Sequence, residues 1–237
     1  MSADVPVLEV DGVTKQFGNL TAVDDVSFTI AGSGEMVGLI GPNGAGKTTM
    51  FNTITNIHSP TEGDIRFEGE SIIGAPIHEI AQKGLTRTFQ DTRVLGRMTL
   101  RENLLIASQV SDAPEERAEE LLETIELDDK ADQLARDLSF GQQKLVSISQ
   151  TLMLRPDLVL LDEPFAGVNP TMENKILEII DTFLDRGVNF LLIEHDMDII
   201  MEHCDDILVM DAGELITRGD PNEVRNDERV VEAYFGT

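Results

Sequence analysis

Tryptophan is absent from this 237-residue chain, tyrosine and cysteine occur once each, and aromatic residues make up only 5%. The lone cysteine, Cys204, excludes an internal disulfide and fits a reducing compartment. Long hydrophobic runs are missing too. Stretches such as Leu158 to Leu161 are a handful of residues, against the roughly 20 that a membrane-crossing helix needs, so no bilayer span is expected. The opening Met1-Ser2-Ala3-Asp4 is acidic and has neither the basic nor the apolar region of a secretory signal, which gives the expectation of a cytoplasmic protein. Repeats, low-complexity tracts and long linkers are not visible.

Positive charge is scarcer still. There are six lysines, and 18 Lys+Arg stand against 44 Asp+Glu, for a net charge of −26. Such a balance argues against a nucleic-acid clamp, which needs a basic footprint to release counterions. It does not mean disorder, because the chain is 41% hydrophobic and its apolar residues are well patterned. The acids are scattered along the whole sequence, which favours adaptation to a salt-rich cytoplasm, where the Debye length shrinks to about 3 Å at 1 M. An acidic interaction surface is the other reading.

What is present is the patterning of one large domain or two small ones. Alternation in Val7-Leu8-Glu9-Val10 and in Val26-Ser27-Phe28-Thr29-Ile30 predicts strands on either side of a turn at Phe17-Gly18-Asn19. A buried strand from Met36 to Ile40 runs into a glycine-rich turn, and Gly46 to Ile57 suits a helix that stops near Ser59-Pro60. After a short strand at Asp64 to Phe67 the character is helical from about Thr99 to Leu154. There Ala118, Leu121, Leu122 and Ile125 give Pro114 to Leu127 one apolar stripe on an acidic helix. Strand patterns return at Leu158 to Leu161, Phe190 to Ile193 and Ile207 to Met210 with helices between them, as a βαβ core requires. The expected fold is a mostly parallel α/β domain with a helical insertion.

The strand ending at Ile40 opens into Gly41-Pro42-Asn43-Gly44-Ala45-Gly46-Lys47-Thr48, which satisfies G-x-x-x-x-G-K-[ST] between a predicted strand and a predicted helix. Its glycines let backbone N–H groups curl around phosphate oxygens, and the helix N-terminus adds a positive dipole. Lys47 reaches the β/γ phosphates, and the Thr48 hydroxyl can ligate magnesium. Further on, Leu158-Val159-Leu160-Leu161-Asp162-Glu163-Pro164 puts two carboxylates at the carboxyl end of a buried strand. Asp162 can hold magnesium, and Glu163 can polarise an attacking water as a general base. A third element, Leu138-Ser139-Phe140-Gly141-Gln142, stands just before a helical run.

In this order and spacing, the three elements resemble the ATP-binding cassette ATPases, whose signature the pentapeptide matches except at Phe140. The resemblance covers nearly the whole chain. It implies a P-loop NTPase core of mostly parallel sheet with antiparallel strands, residues 1–90 and 157–237, and an inserted helical signature subdomain, residues 91–156. It implies ATP binding by Phe17, stacked on adenine, and by Gly41, Pro42, Asn43, Gly44, Ala45, Gly46, Lys47, Thr48 and Thr49. Gln90 of Arg87-Thr88-Phe89-Gln90 fits the Q-loop and Gly167-Val168-Asn169-Pro170 the D-loop. Mg2+ falls to Thr48, Gln90 and Asp162, and catalysis to Glu163, Lys47 and the switch histidine His195. Two such domains pair head to tail, so Ser139, Gly141 and Gln142 of one face the γ-phosphate held by the other. Taken singly, Ser139 is a good helix N-cap, His195 a structural histidine, Gln90 a surface amide and Phe17 a core residue. His203-Cys204, His58 and His78 have no visible partners and are assigned no function.

Arg87-Thr88-Phe89-Gln90, Met98 to Leu104, Ile193-Glu194-His195-Asp196-Met197 and Glu232-Ala233-Tyr234-Phe235-Gly236 look like the ATP-binding subunits of branched-chain amino-acid importers. The implied partners are a second ATPase subunit, integral membrane permease subunits and, indirectly, a solute-binding protein, at the cytoplasmic face of the membrane, with no nucleic acid. The alternatives are the ATPase of a lipid or lipopolysaccharide exporter and a soluble cassette protein acting on nucleic acid or the ribosome. Contact with the permease is expected in Gln90 to Leu104, with Leu100, Leu104 and Leu105 as apolar anchors.

Overall fold

The computed structural model describes residues 5–32, 34–89, 93–108 and 113–235. Strands β1 (Leu8–Phe17) and β2 (Leu20–Ile30) form a hairpin, and β3 (Met36–Ile40) leads through the glycine-rich turn into α1 (Lys47–Ile54). Then come β4 (Glu62–Phe67), β5 (Glu70–Ser71), α2 (Ile77–Gln82) and β6 (Leu85–Arg87). Helices α3 (Leu100–Ala107), α4 (Pro114–Thr124) and α5 (Phe140–Leu152), with single 3-10 turns at Asp128–Lys130 and Ala135–Asp137, precede β7 (Leu158–Asp162). They are followed by α6 (Pro170–Leu184), β8 (Asn189–Ile193), α7 (Met197–His203), β9 (Asp206–Asp211), β10 (Glu214–Gly219), α8 (Pro221–Arg225) and α9 (Glu228–Phe235).

Two sheets result. One is antiparallel, in the order β2-β1-β4-β5, and the other runs β10-β9-β3-β8-β7-β6 with every neighbour parallel except the β10–β9 pair. The period of two in each central strand sends side chains alternately to opposite faces. Val37, Leu39, Leu158, Leu160, Leu191 and Ile193 join α1 and the antiparallel sheet in one apolar cluster. Their neighbours Ile40, Val159, Leu161, Phe190 and Leu192 join α5 and α6 in the other. Burial on both faces is why these strands read as unbroken aliphatic runs.

The predicted strands are all present, and most are longer than the patterns suggested. The helices are shorter. Helix α1 stops at Ile54 because Thr55 folds its hydroxyl back on the Phe51 carbonyl at 2.8 Å and Asn56 takes a left-handed φ of 54°. Helix α4 ends at Thr124, not Leu127, where Glu126 turns left-handed and the Leu127 amide donates to the Leu122 carbonyl at 2.9 Å. Its stripe of Ala118, Leu121, Leu122 and Ile125 is wholly buried. The stretch expected to be helical from Thr99 to Leu154 contains α3, α4 and α5 among its described residues.

One expectation is overturned. Leu100 and Leu104 are fully buried in the core under α4 and α5, so neither is available as an anchor for a partner. Buried Asn103 pins the loop before α3: its Oδ1 accepts from the Leu95 amide at 2.7 Å and its Nδ2 donates to the Leu95, Met98 and Thr99 carbonyls. Cys204 is buried against Gly38 at the end of α7, and burial, reinforced by Asp205 and Asp206, pushes its thiol up to about 12. Among the described residues no helix is long and apolar enough to cross a membrane.

Candidate functional site

The phosphate loop sits where β3 meets α1, and its glycines are dictated by contact. A Cβ on Gly41, at φ 151°, would lie 2.0 Å from the Met210 carbonyl oxygen, and one on Gly46, at φ 103°, 2.4 Å from that of Ala22. Gly44 by contrast faces open space. The Lys47 ammonium is buried and donates to the Gly41 and Pro42 carbonyls at 2.6 and 3.1 Å. Burial lowers its pKa from the usual lysine value, opposed by the nearby charges of Glu163 and Asp162.

A cleft with a volume of about 550 Å³ opens over this loop. Asn43 to Thr49, Glu163 and His195 line it, with Thr21, Ala22 and Gly213 completing the wall. Glu163 follows β7 and His195 follows β8, and the parallel pairing of those strands brings the two together. His195 Nε2 lies 3.0 Å from Glu163 Oε1. The site is therefore assembled at the carboxyl ends of three parallel strands, the usual place for a ligand in an open α/β sheet.

Asp162 is buried just beneath, 5% exposed, and Arg87 from the end of β6 donates to its Oδ2 at 2.7 Å. The same guanidinium donates to Asn52 of α1 at 2.7 Å and packs on Phe51 and Phe89. Glu194 is equally buried. Its carboxylate accepts the Phe165 amide at 2.9 Å and the His195 amide at 3.1 Å, while burial raises its pKa above the usual range against the pull of those amides. Lys144 of α5, also 5% exposed, donates to the Glu163 carbonyl at 2.7 Å.

Other sequence-derived residues lie apart. Ser139, Gly141 and Gln142 are at the N-terminus of α5 and do not line the cleft. Ser139 is indeed the N-cap: its hydroxyl accepts from the Gln142 amide at 3.3 Å, and the Gln142 side chain accepts in return from the Ser139 amide. A Cβ on Gly141 would come within 2.8 Å of Met172 on α6. Phe17, 42% exposed at the end of β1, is outside the cleft lining and stands edge-on to His58 at 5.2 Å, a partner for that histidine that the sequence did not reveal. Gln90 is outside the described residues.

Arg87, Lys144 and Glu194 are the site residues that sequence reasoning missed. Lys144 and Glu194 carried one signal, a charged side chain set directly against aliphatic residues in Lys144-Leu145-Val146 and Leu192-Ile193-Glu194, whereas Arg87, between Thr86 and Thr88, carried none of this kind.

The fit to a magnesium-bound triphosphate rests on the donor set. Among the described residues no group of three or more His, Cys, Asp or Glu can hold a metal unaided. Thr48 and Asp162 would supply one hydroxyl and one carboxylate to a magnesium whose remaining positions phosphate oxygens and water would fill.

A glycine-rich cradle with a buried lysine, and a carboxylate pair at the end of β7, one strand removed from β3 across β8, define a P-loop nucleotide-binding α/β protein. A family model described as ABC transporter matches residues 23–166, and another, described as Branched-chain amino acid ATP-binding cassette transporter, matches 214–237. The chain is similar to the high-affinity branched-chain amino acid transport ATP-binding protein BraF of Pseudomonas aeruginosa, at 39% identity over 98% of each chain. It is also similar to the lipopolysaccharide export system ATP-binding protein LptB of Haemophilus influenzae, at 35% identity over 97% of each. Among solved structures, MJ1267, an ATP-binding cassette of an ABC transporter crystallised in its ADP conformation, superposes with a TM-score of 0.90 at 34% identity, covering 98% of this chain and 99% of that one. The chain belongs to the ABC transporter ATPase family.

Replacing Arg87 by Met keeps the bulk between Phe51 and Phe89 but strips the buried Asp162 carboxylate of its cation. The expected loss is about 3–5 kcal/mol of unfolding free energy, measured by urea titration, because an unpaired buried charge costs far more than an exposed one. A loss below about 1 kcal/mol, the range of an exposed pair, would show that Asp162 does not depend on Arg87.

Proposed function

We propose that this chain hydrolyses ATP to drive a membrane importer of branched-chain or related amino acids. The observation that carries the reading is the meeting, in one cleft, of the phosphate loop with the Glu163–His195 pair at 3.0 Å. Residues 43–49 wrap the phosphates, Lys47 turns from its own loop carbonyls to the β/γ oxygens, and Thr48 and Asp162, with Gln90, would hold the magnesium that arrives with the nucleotide and neutralises those oxygens. Glu163 takes the proton of the attacking water, and His195 holds the Glu163 carboxylate in place. Phe17 stacks on the adenine ring. Ser139, Gly141 and Gln142 complete the site of a second copy, since they lie away from the cleft of their own chain. In that pairing the helical unit, residues 91–156, moves against the core formed by 1–90 and 157–237.

Replacing Glu163 by Gln should leave ATP binding within about twofold of wild type and cut steady-state phosphate release by about 100-fold or more, because only the base is lost. An ATP-bound dimer should accumulate in size-exclusion chromatography. Phosphate release close to wild type would sink the assignment.

Importer rather than exporter is favoured by the match of residues 214–237 and by the higher identity to BraF. The membrane partner is best accommodated by a second cleft of about 300 Å³, between α2, β6 and α5, lined by Ile57, Ile77, Ile80, Leu85, Phe89 and Leu154. On this reading docking is beside the loop proposed from the sequence, not on its leucines. Ile77 is 52% exposed at the rim. Ile77→Asp should abolish permease-stimulated hydrolysis and spare the basal rate; full stimulation of the variant places the partner elsewhere.

The acidity is read as adaptation to high salt. Asp162 and Glu194 are the only buried carboxylates among the described residues, so nearly all the excess charge is on the surface. Thermal melts in KCl should therefore rise steadily from 0.1 M, where the Debye length is about 10 Å, toward molar salt. A salt-independent melting temperature would leave the acidic partner surface as the explanation.

A further inference from the structure

Glu163 has a backbone that its own chemistry does not favour. It is a non-glycine residue at φ 49°, immediately before Pro164. Left-handed geometry of this kind costs about 1–3 kcal/mol and persists only where the surroundings over-determine it. The determinants here are five hydrogen bonds. The Glu163 amide donates to the Ile193 carbonyl at 2.9 Å, and the Glu163 carbonyl accepts the Ala166 amide at 3.2 Å and the Lys144 ammonium at 2.7 Å. Glu194 then ties the Phe165 amide, two residues on, to the His195 amide through the two oxygens of one buried carboxylate.

Lys144 is the one of these partners that comes from the helical insertion. It lies on α5 two residues after Gln142, so the helix that begins with the signature also ends a bond on the residue assigned as the base. A lysine only 5% exposed, its ammonium paired with a backbone carbonyl, is an expensive way to fill space: Leu145 and Val146 beside it do that without a charge to desolvate. Its electrostatic neighbours are the three carboxylates of this region, Glu194, Glu163 and Asp162.

We infer that Lys144, with Glu194, is a positioning residue for hydrolysis: it fixes the strained Glu163 backbone so that the carboxylate faces the cleft, and it links that orientation to the position of the signature helix. A displacement of α5 against β7 pulls on Glu163 directly, without passing through the phosphate loop. The inference rests on Glu163 being the base.

The test is steady-state ATP hydrolysis and ATP binding by the full chain carrying Lys144→Met, Lys144→Arg, Glu194→Gln or Glu163→Gln, each checked by thermal melting. Lys144→Met keeps the aliphatic stem and removes the donor. It should lower kcat by about 10- to 100-fold, the cost of a misplaced catalytic group. The KM for ATP should stay within about twofold, since the ground-state cradle is untouched. Lys144→Arg restores a donor and should recover most of kcat, and Glu194→Gln should lower kcat with the same unchanged KM. A merely structural lysine would instead raise KM and lower the melting temperature together, with no rescue by Arg, and that pattern overturns the inference, as does a Lys144→Met enzyme at wild-type kcat. If Lys144→Met does not fold, the Arg and Glu194→Gln variants decide by the same criteria. Glu163→Gln separates the two levels: full turnover in it sinks the base assignment itself, whereas an inactive Glu163→Gln beside an unaffected Lys144→Met sinks only the positioning role.

Discussion

Burial of the central sheet on both faces is the constraint from which the rest of the molecule follows. Strands β3, β7 and β8 are wholly buried over their length, so no polar group can sit within them without a partner. Polar chemistry is pushed to their carboxyl ends, where Gly41, Glu163 and Glu194 stand one residue or less beyond the last strand position. The parallel registers that align Leu39 with Ile193 and Asp162 with Ile193 then set how far apart those ends are. The cleft is a by-product of strand pairing before it is a nucleotide site.

Local features were legible in the sequence because local geometry causes them. The phosphate loop needs glycines at fixed offsets to escape the Met210 and Ala22 carbonyls, and the Ser139–Gln142 cap needs its two side chains three residues apart. Asp162 and Glu163 were legible for the same reason, as polar residues ending an aliphatic run. Long-range pairs were not. Arg87 reaches Asp162 across 75 positions from a strand of three residues, too short to show a period, and Lys144 reaches the Glu163 carbonyl across 19. Helical periodicity placed Leu100 and Leu104 on one face correctly but could not say that α4 and α5 already cover it. Phe17 illustrates the opposite case: its position fits a stacking aromatic, but its closest ring contact is His58, brought up by a loop.

The charges inside the fold form a small system of their own. Arg87, Lys47 and Lys144 are three buried cations gathered around Asp162, Glu163 and Glu194, in a chain whose surface is overwhelmingly negative. Asp162 and Glu194 are held by named donors, one by a guanidinium and one by two amides, which offsets the cost of burying them. Surface acidity and interior balance are thus separate matters. The exterior can drift toward acid under selection for solubility without disturbing the interior set, because charges outside are screened and those inside are not.

Cys204 has a practical consequence for experiments on this molecule. Its thiol is walled in by Gly38 and Ile200 and shifted far from reactive thiolate chemistry, and it is the only one in the sequence. The native protein is therefore close to a thiol-silent background. A single cysteine engineered on the surface of α5 and another on the core can carry maleimide spin labels or fluorophores without first removing the natural residue, so distances between the two parts become readable in the unaltered packing of the wild-type interior.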